Sequence, residues 1–378
     1  MSKQIMSTST HQQAQPIAKR FNGIGYTRKG HSFPLEVISL PVPTPKRDEV
    51  LIEVFSSSLN PLEFKLAQLN FQGAEPPLIL GFDLAGIVVA TGEDVDGFKP
   101  GDRVMAMADL NGHGGWGDAI TGGYAVARDF LTVLKPAGLS FREAGCLPMC
   151  FLSAYMAMKP WLAEGDSVYI PGGGGGVGHL ALQMAARTLG AGYVISSGST
   201  PESIALARSS GADYVIDYKS ENVTDKILEL THGKGVDLVY DATYSEQSFI
   251  HSASAISPAG HWIVLGVGPG KTSRVRETAS PVADILTQRG AKMVNFNLLK
   301  YFTHPQLLDS VSQTLFRQAM DDMARWAEAG KVLPYIQYSI AAEPIAIGES
   351  LQQLAKGSGN LGKIAVEHPQ RLSNSIVC

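Results

Sequence analysis

Gly173, Gly175 and Gly178 stand at G-x-G-x-x-G spacing within the run Asp166-Ser-Val-Tyr-Ile-Pro-Gly-Gly-Gly-Gly-Gly-Val-Gly178. That spacing can cradle a dinucleotide. One glycine makes a tight turn, one lets the backbone approach a pyrophosphate, and the third lets helix and strand pack closely, with the phosphates at the helix N-terminus. Gly176 and Val177 complete the turn. Five consecutive glycines match many patterns, so the context carries the reading. Ser167–Ile170 is a short apolar strand, and Val177, Leu180, Ala181, Met184, Ala185 and Thr188 recur at helical spacing until Gly190. A strand-to-helix loop without a ligand is the alternative.

Cofactor choice is legible at the end of the next strand. Enzymes that use NAD place a carboxylate there to hold the ribose hydroxyls. This chain has Ser196-Ser-Gly-Ser-Thr200, with no carboxylate before Glu202. A 2′-phosphate would meet the hydroxyls of Ser197, Ser199 and Thr200 instead of a repelling charge, which favours NADPH.

Further strand-like runs lie at Tyr193–Ser197, Tyr214–Asp217, Val236–Asp241, His261–Leu265 and Lys292–Phe296, separated by helix-length segments at 202–210, 222–231, 247–257 and 282–288. Alternating strands and helices predict a doubly wound parallel sheet, and six strands make a full dinucleotide-binding domain, placed at residues 149–298. Residues 21–148 differ in texture, with short strands expected at Leu35–Leu40, Val50–Ser56, Ala85–Ala90, Arg103–Met107 and Leu131–Leu134. This is a β-rich domain, and residues 299–378 are expected to return to it through a helix over 306–329 and strands at 332–336 and 362–366. The active site then lies in the cleft between the two domains.

The chain has 378 residues, enough for two cores, and a net charge of −4 without Lys/Arg clusters. Nothing recommends nucleic acid or a membrane surface. Cys146, Cys150 and Cys378 make no disulfide framework and suit a reducing compartment. Residues 1–20 read as a disordered tail without the apolar core of a secretory signal. The lack of acidic residues before Glu36 leaves an organelle transit peptide open, but Arg20 is the only arginine in the first 27 residues. A cytoplasmic protein is expected.

Several motifs in order resemble the medium-chain dehydrogenase/reductase superfamily, specifically its zinc-free quinone oxidoreductase branch. They are Ser58-Leu-Asn-Pro-Leu-Glu-Phe-Lys65, Gly81-Phe-Asp-Leu-Ala-Gly86, Gly101-Asp-Arg-Val104, Gly122-Gly-Tyr-Ala125, the glycine turn, Gly211-Ala-Asp-Tyr-Val-Ile-Asp-Tyr218 and Gly362-Lys363. The resemblance implies a GroES-like β-rich catalytic domain beside a Rossmann domain. It also implies cofactor contacts from Tyr218, Gly266, Val267, Gly362 and Lys363, and a homodimer joined along Lys292–Phe296. Where zinc-dependent relatives carry metal ligands, this chain has Asn60, Phe82 and Met149. Phenylalanine cannot ligate a metal and the other two are poor zinc ligands, so no metal site is expected.

Without zinc to polarise an alcohol oxygen, the remaining chemistry is hydride delivery to an electron-poor acceptor such as a quinone or a conjugated enone. Asn60 is the candidate donor of a hydrogen bond to the acceptor oxygen or the cofactor, and Lys65 the candidate source of positive charge or a proton. A turn residue before Pro61 and a solvated surface lysine are the competing readings. Reduction of an activated carbon–carbon double bond and a nucleotide-binding regulatory role remain alternatives. Residues 109–123, Gly-rich and containing His113, read as a surface loop first and a pocket wall second.

Overall fold

The computed structural model describes residues 17–28, 35–69, 75–108, 113–243, 245–265, 281–357 and 359–368. Its first strands are β1 (Arg20–Tyr26), β2 (Glu36–Pro41), β3 (Glu49–Ser58), β4 (Leu78–Ile79), β5 (Asp83–Thr91), β6 (Arg103–Met107), β7 (Gly123–Arg128) and β8 (Thr132–Leu134). Next come β9 (Ser167–Ile170), β10 (Tyr193–Gly198), β11 (Tyr214–Asp217), β12 (Val236–Asp241), β13 (Ile256–Leu265) and β14 (Lys292–Phe296), and last β15 (Ile336–Ala341) and β16 (Lys363–Glu367).

Strands β9 to β14 form one parallel sheet in the order β11-β10-β9-β12-β13-β14. The glycine turn follows β9, where the strand order reverses, and such switch points are where open α/β sheets bind ligands. Five of these strands match their sequence-derived limits to within a residue. The sixth, β13, starts five residues earlier than expected, because Ala259 takes a φ of 63° beside Gly260 and the pairing with β12 shifts register.

The β-rich part holds a β2-β1-β4 sheet and a larger sheet ordered β15-β16-β3-β5-β6-β8, with β7 also on β3. β16 pairs antiparallel with β3, which brings the C-terminal segment beside the N-terminal part. Several elements there were not anticipated, among them β1, β4, β7, the helix α1 (Pro61–Leu69) and the helix Pro344–Ala355. The last C-terminal strand but one also differs. It begins at Ile336 instead of spanning 332–336, because the Leu333 and Tyr335 backbones bond to side chains of a helix and not to a neighbouring strand.

The expectation of a surface loop over 109–123 needs correction. Residues 109–112 lie outside the described residues, but Trp116 is fully buried and its indole Nε1 donates to Ser57 Oγ at 2.7 Å. Gly114, Gly115 and Gly117 pass too close to neighbouring chain for side chains. A Cβ on Gly117 would lie 1.9 Å from the Gly122 carbonyl oxygen. Residues 114–117 are thus part of the core, whereas 118–121 lie at the surface, with Ile120 exposed.

Candidate active site

The glycine turn is shaped by contacts that forbid side chains. A Cβ on Gly173 would come within 2.2 Å of Ser196 Oγ and 2.6 Å of Leu182, and one on Gly178 within 2.4 Å of the Gly172 carbonyl oxygen. Gly172 itself has φ +67°, which glycine adopts at low cost. Gly178 opens the helix Gly178–Arg187, and the N–H groups of Gly174, Gly176, Val177 and Gly178 have no backbone acceptor among the described residues. Unpaired donors at the positive end of a helix, with no Cβ in the way, fit a pyrophosphate.

Two side chains of that helix, not anticipated as site residues, hold the turn to the C-terminal segment. His179 Nδ1 lies 2.8 Å from the Gly175 carbonyl, and its Nε2 accepts from Tyr335 N–H at 3.0 Å. A ring with one acceptor and one donor facing it carries its proton on Nδ1. Burial lowers its pKa to about 4, so it is neutral at pH 7. Gln183, one turn on, both donates to Leu333 O and accepts from Leu333 N–H. Their only sequence signal is a pair of polar residues four apart on an otherwise apolar helix face.

At the far end of the cofactor groove, Thr200 caps the helix Pro201–Ser209 and exchanges hydrogen bonds with Ser203. The Ser199 N–H donates to Ser203 Oγ. Tyr218 is 53% exposed, and its N–H donates to Gly198 O, which places it and Lys219 beside the end of β10. Ser197 is placed differently from expectation. Its hydroxyl accepts from the buried Tyr169 OH, and its backbone carbonyl meets the turn at Gly173 N–H. Gly266 and Val267 lie outside the described residues.

Of the two catalytic candidates, Asn60 lies in a buried polar cluster. Asn60 ends the chain run from β3 and precedes Pro61, which suits the first position of α1. The Asn60 Nδ2 donates to Asp83 Oδ2 at 2.9 Å, while its Oδ1 accepts from Lys363 Nζ at 2.6 Å and faces Cys150 Sγ at 3.6 Å. Asp83 also accepts from Ser58 Oγ and from the Met149 N–H. Lys363 further reaches Leu59 O at 3.3 Å, Asp83 Oδ2 at 3.3 Å and Cys150 Sγ at 3.4 Å. Four chain regions separated by up to 304 positions thus meet at one ammonium group.

The electrostatics follow from burial. Desolvation opposes the Lys363 charge, but the surrounding acidic groups, Cys150 and Asp83 foremost, outweigh it and hold its pKa above the usual lysine range. Burial raises the Cys150 thiol above its ordinary range, against the pull of the nearby Lys363 ammonium. Glu63 is fully buried, accepts the Asn60 N–H at 2.8 Å through Oε2 and leaves Oε1 without a partner. Burial first, and then the nearby Asp83 charge, raise its pKa to about 8. Lys65 is 8% exposed on α1 and so is not a solvated surface lysine. Cys146 and Cys150 are both buried, as expected, but Cys150 borders the site.

The residues do not suit zinc. Phe82 is fully buried, Met149 offers its backbone N–H to Asp83, and an ammonium already stands among Asn60, Asp83 and Cys150. No group of three or more His, Cys, Asp or Glu among the described residues could hold a metal ion.

Comparison with known proteins agrees with this architecture. The alcohol dehydrogenase GroES-like domain family matches residues 46–147, and the zinc-binding dehydrogenase family matches residues 176–313. The chain is 38% identical over 233 residues to the 2-methylene-furan-3-one reductase of Solanum lycopersicum, covering 60% of this chain and 58% of that protein. It is 35% identical over 270 residues to the chloroplastic quinone-oxidoreductase QR1 of Triphysaria versicolor, covering 67% and 75%. It thus spans less than two thirds of the first relative and three quarters of the second. The quinone oxidoreductase structure from Coxiella burnetii superposes with a TM-score of 0.72 over 92% of this chain and 99% of that one, at 24% identity. The glycine turn at the switch point, the β-rich partner sheet and these matches together place the chain in the medium-chain dehydrogenase/reductase superfamily, in its quinone oxidoreductase branch.

Proposed function

We propose that the protein transfers a hydride from NADPH to a quinone or a similarly electron-poor conjugated carbonyl compound, without a metal. The observation that carries this reading is the Asn60–Asp83–Lys363 cluster, which stands where metal-dependent relatives hold zinc. The bound nicotinamide would supply the hydride. The chain's own share is orientation, exclusion of water and stabilisation of the negative charge that develops on the acceptor oxygen. Asn60 supports the last role, because Lys363 and Asp83 leave its amide one orientation and one Nδ2 hydrogen for the acceptor. Lys65 is the proposed source of positive charge or a proton on the same side of the cleft.

NADPH is preferred over NADH in this reading. No carboxylate lies between the end of β10 and Glu202, and Ser199, Thr200, Tyr218 and Lys219, which lie near the end of β10, are the proposed partners of a 2′-phosphate. A homodimer paired along β14 is also part of the proposal, since that strand is the terminal one of its sheet. A second reading, reduction of a carbon–carbon double bond in an enone, is favoured by the identity to the furanone reductase.

The test follows absorbance loss from NADPH, and separately NADH, against a simple quinone, an enone, an aldehyde and an enoyl thioester, with and without a chelator. Chelator-insensitive NADPH oxidation by the quinone is the expected result. Activity confined to the enone or thioester would select the second reading, and chelator-sensitive aldehyde reduction would refute both.

A further inference from the structure

Lys363 has partners that the sequence did not disclose. The family resemblance implies that it contacts the cofactor, and in the structure its side chain is 2% exposed, with the ammonium bonded to Leu59 O, Asn60 Oδ1, Asp83 Oδ2 and Cys150 Sγ. The backbone just before it is what meets the turn. Gly362 N–H donates to Gly174 O at 2.8 Å, and a Cβ on Gly176 would lie 3.0 Å from Gly362 O and 3.5 Å from Lys363 Cδ. Gly362 can do this because it has φ +50° and passes so near Tyr335 O that a Cβ would come within 2.2 Å of that oxygen. The segment lies across the turn, and the lysine stem carries the connection through to Asn60.

The far end of that stem fixes an orientation. An ammonium offers only donors and a carboxylate only acceptors. The Asn60 atom that faces Lys363 must therefore be its oxygen, and the atom that faces Asp83 must be its nitrogen. Removing either charged group leaves the amide free to turn over and present its oxygen to the cleft. A carbonyl there would repel a developing oxyanion.

We propose that Lys363 is the internal cation of this site, held by Leu59 O, Asn60 Oδ1, Asp83 Oδ2 and Cys150 Sγ in place of a metal ion, and that it is a positioning residue which keeps the Asn60 Nδ2 aimed at the acceptor, not a ligand of the cofactor phosphates. This rests on the functional reading above for the acceptor alone. The cation's place among its partners stands independently of it.

The test is a cycle of Lys363→Met, Asp83→Asn and the double variant in the full chain, read by thermal unfolding, by the Kd for NADPH from fluorescence and by kcat at saturating NADPH. Removing one member of a buried ion pair strands the other, whereas removing both does not. The double variant is expected to regain most of the thermal stability lost by either single change. The Kd for NADPH is expected to stay within about threefold of wild type, because the phosphates do not touch the ammonium. The kcat is expected to fall by about tenfold or more in Lys363→Met and to stay low in the double variant, since a displacement of about 1 Å at a reacting centre can cost about a hundredfold. If Lys363→Met does not fold, the double variant gives the Kd and kcat.

Additive losses of stability would overturn the buried cation. A Kd raised more than about tenfold with kcat unchanged would make Lys363 a phosphate ligand and overturn the proposal. Full recovery of kcat in the double variant would overturn the positioning role. If the wild type reduces none of the acceptors, the functional reading fails by itself, and the stability cycle and the Kd still judge the cation.

Discussion

Glu63→Gln isolates a cost that the site carries at neutral pH. The Glu63 carboxyl is fully buried, its pKa is raised from 4.5 to about 8 by burial and by Asp83, and one of its oxygens has no partner. The folded-state value lies above the unfolded one, so the group's contribution to stability is complete below pH 4.5 and is lost as pH rises toward 8. At about 1.36 kcal/mol per pH unit, wild type should lose about 2 kcal/mol between pH 6.5 and 8, and at most about 5 kcal/mol over the whole interval. Glutamine keeps an oxygen for the Asn60 N–H, so the start of α1 survives while the titration disappears. The buried histidines do not confuse this window. His179 and His368 have pKa values lowered by burial to about 4, so their contributions change only as pH falls below the ordinary histidine value of 6.5. Urea unfolding of both proteins at pH 6.5 and 8 measures the difference. Wild type is expected to lose about 2 kcal/mol more than Glu63→Gln on raising the pH. Equal losses in the two proteins would refute the assignment of a neutral, buried Glu63.

Gly175→Ala separates ligand from fold: a Cβ there meets only Gly172 O, at 3.3 Å, so unfolding should be nearly unchanged while the Kd for NADPH rises by about tenfold or more. Fluorescence titration that gives an unchanged Kd would remove the turn from phosphate binding. Lys219→Glu should raise the KM for NADPH while leaving that for NADH nearly unchanged, since only the former carries the 2′-phosphate; equal effects would count against Lys219 as a phosphate partner. The His179 ring, neutral and donating from Nδ1, should show no NMR titration between pH 8 and 5.5, and a midpoint near the ordinary histidine value would contradict its burial between Gly175 and Tyr335.

The dinucleotide-binding sheet was legible because its signals are local. A parallel strand buried on both faces is a short apolar run, and its helix carries an amphipathic period, so β9 to β12 and β14 fall where hydrophobicity alone puts them. The glycine turn was legible for the same reason, since tight turns and close approaches need glycine within a few positions of each other. The β-rich part was less so. In α1 (Pro61–Leu69), Leu62, Glu63, Lys65 and Leu66 are all buried, polar and apolar alike, so the amphipathic stripe of a surface helix is weak there, while β1 interleaves glycine with apolar residues and β7 opens on Gly123 in a way that reads as turn.

The sequence by itself determined the fold family and the cofactor class, and it singled out Asn60. The tertiary structure alone decided what surrounds Asn60. Asp83, Cys150 and Lys363 lie 23, 90 and 303 positions from it, and no periodicity or spacing joins them. Lysine in a sequence reads as solvated or phosphate-binding. Only the packing of β16 against β3, with Gly362 laid across the glycine turn, removes that ammonium from water and gives it an aspartate and an amide instead. Local sequence fixes backbone conformation through short-range sterics and hydrophobic pattern, whereas the charge state and orientation of buried polar groups depend on partners that only chain closure brings within hydrogen-bond distance.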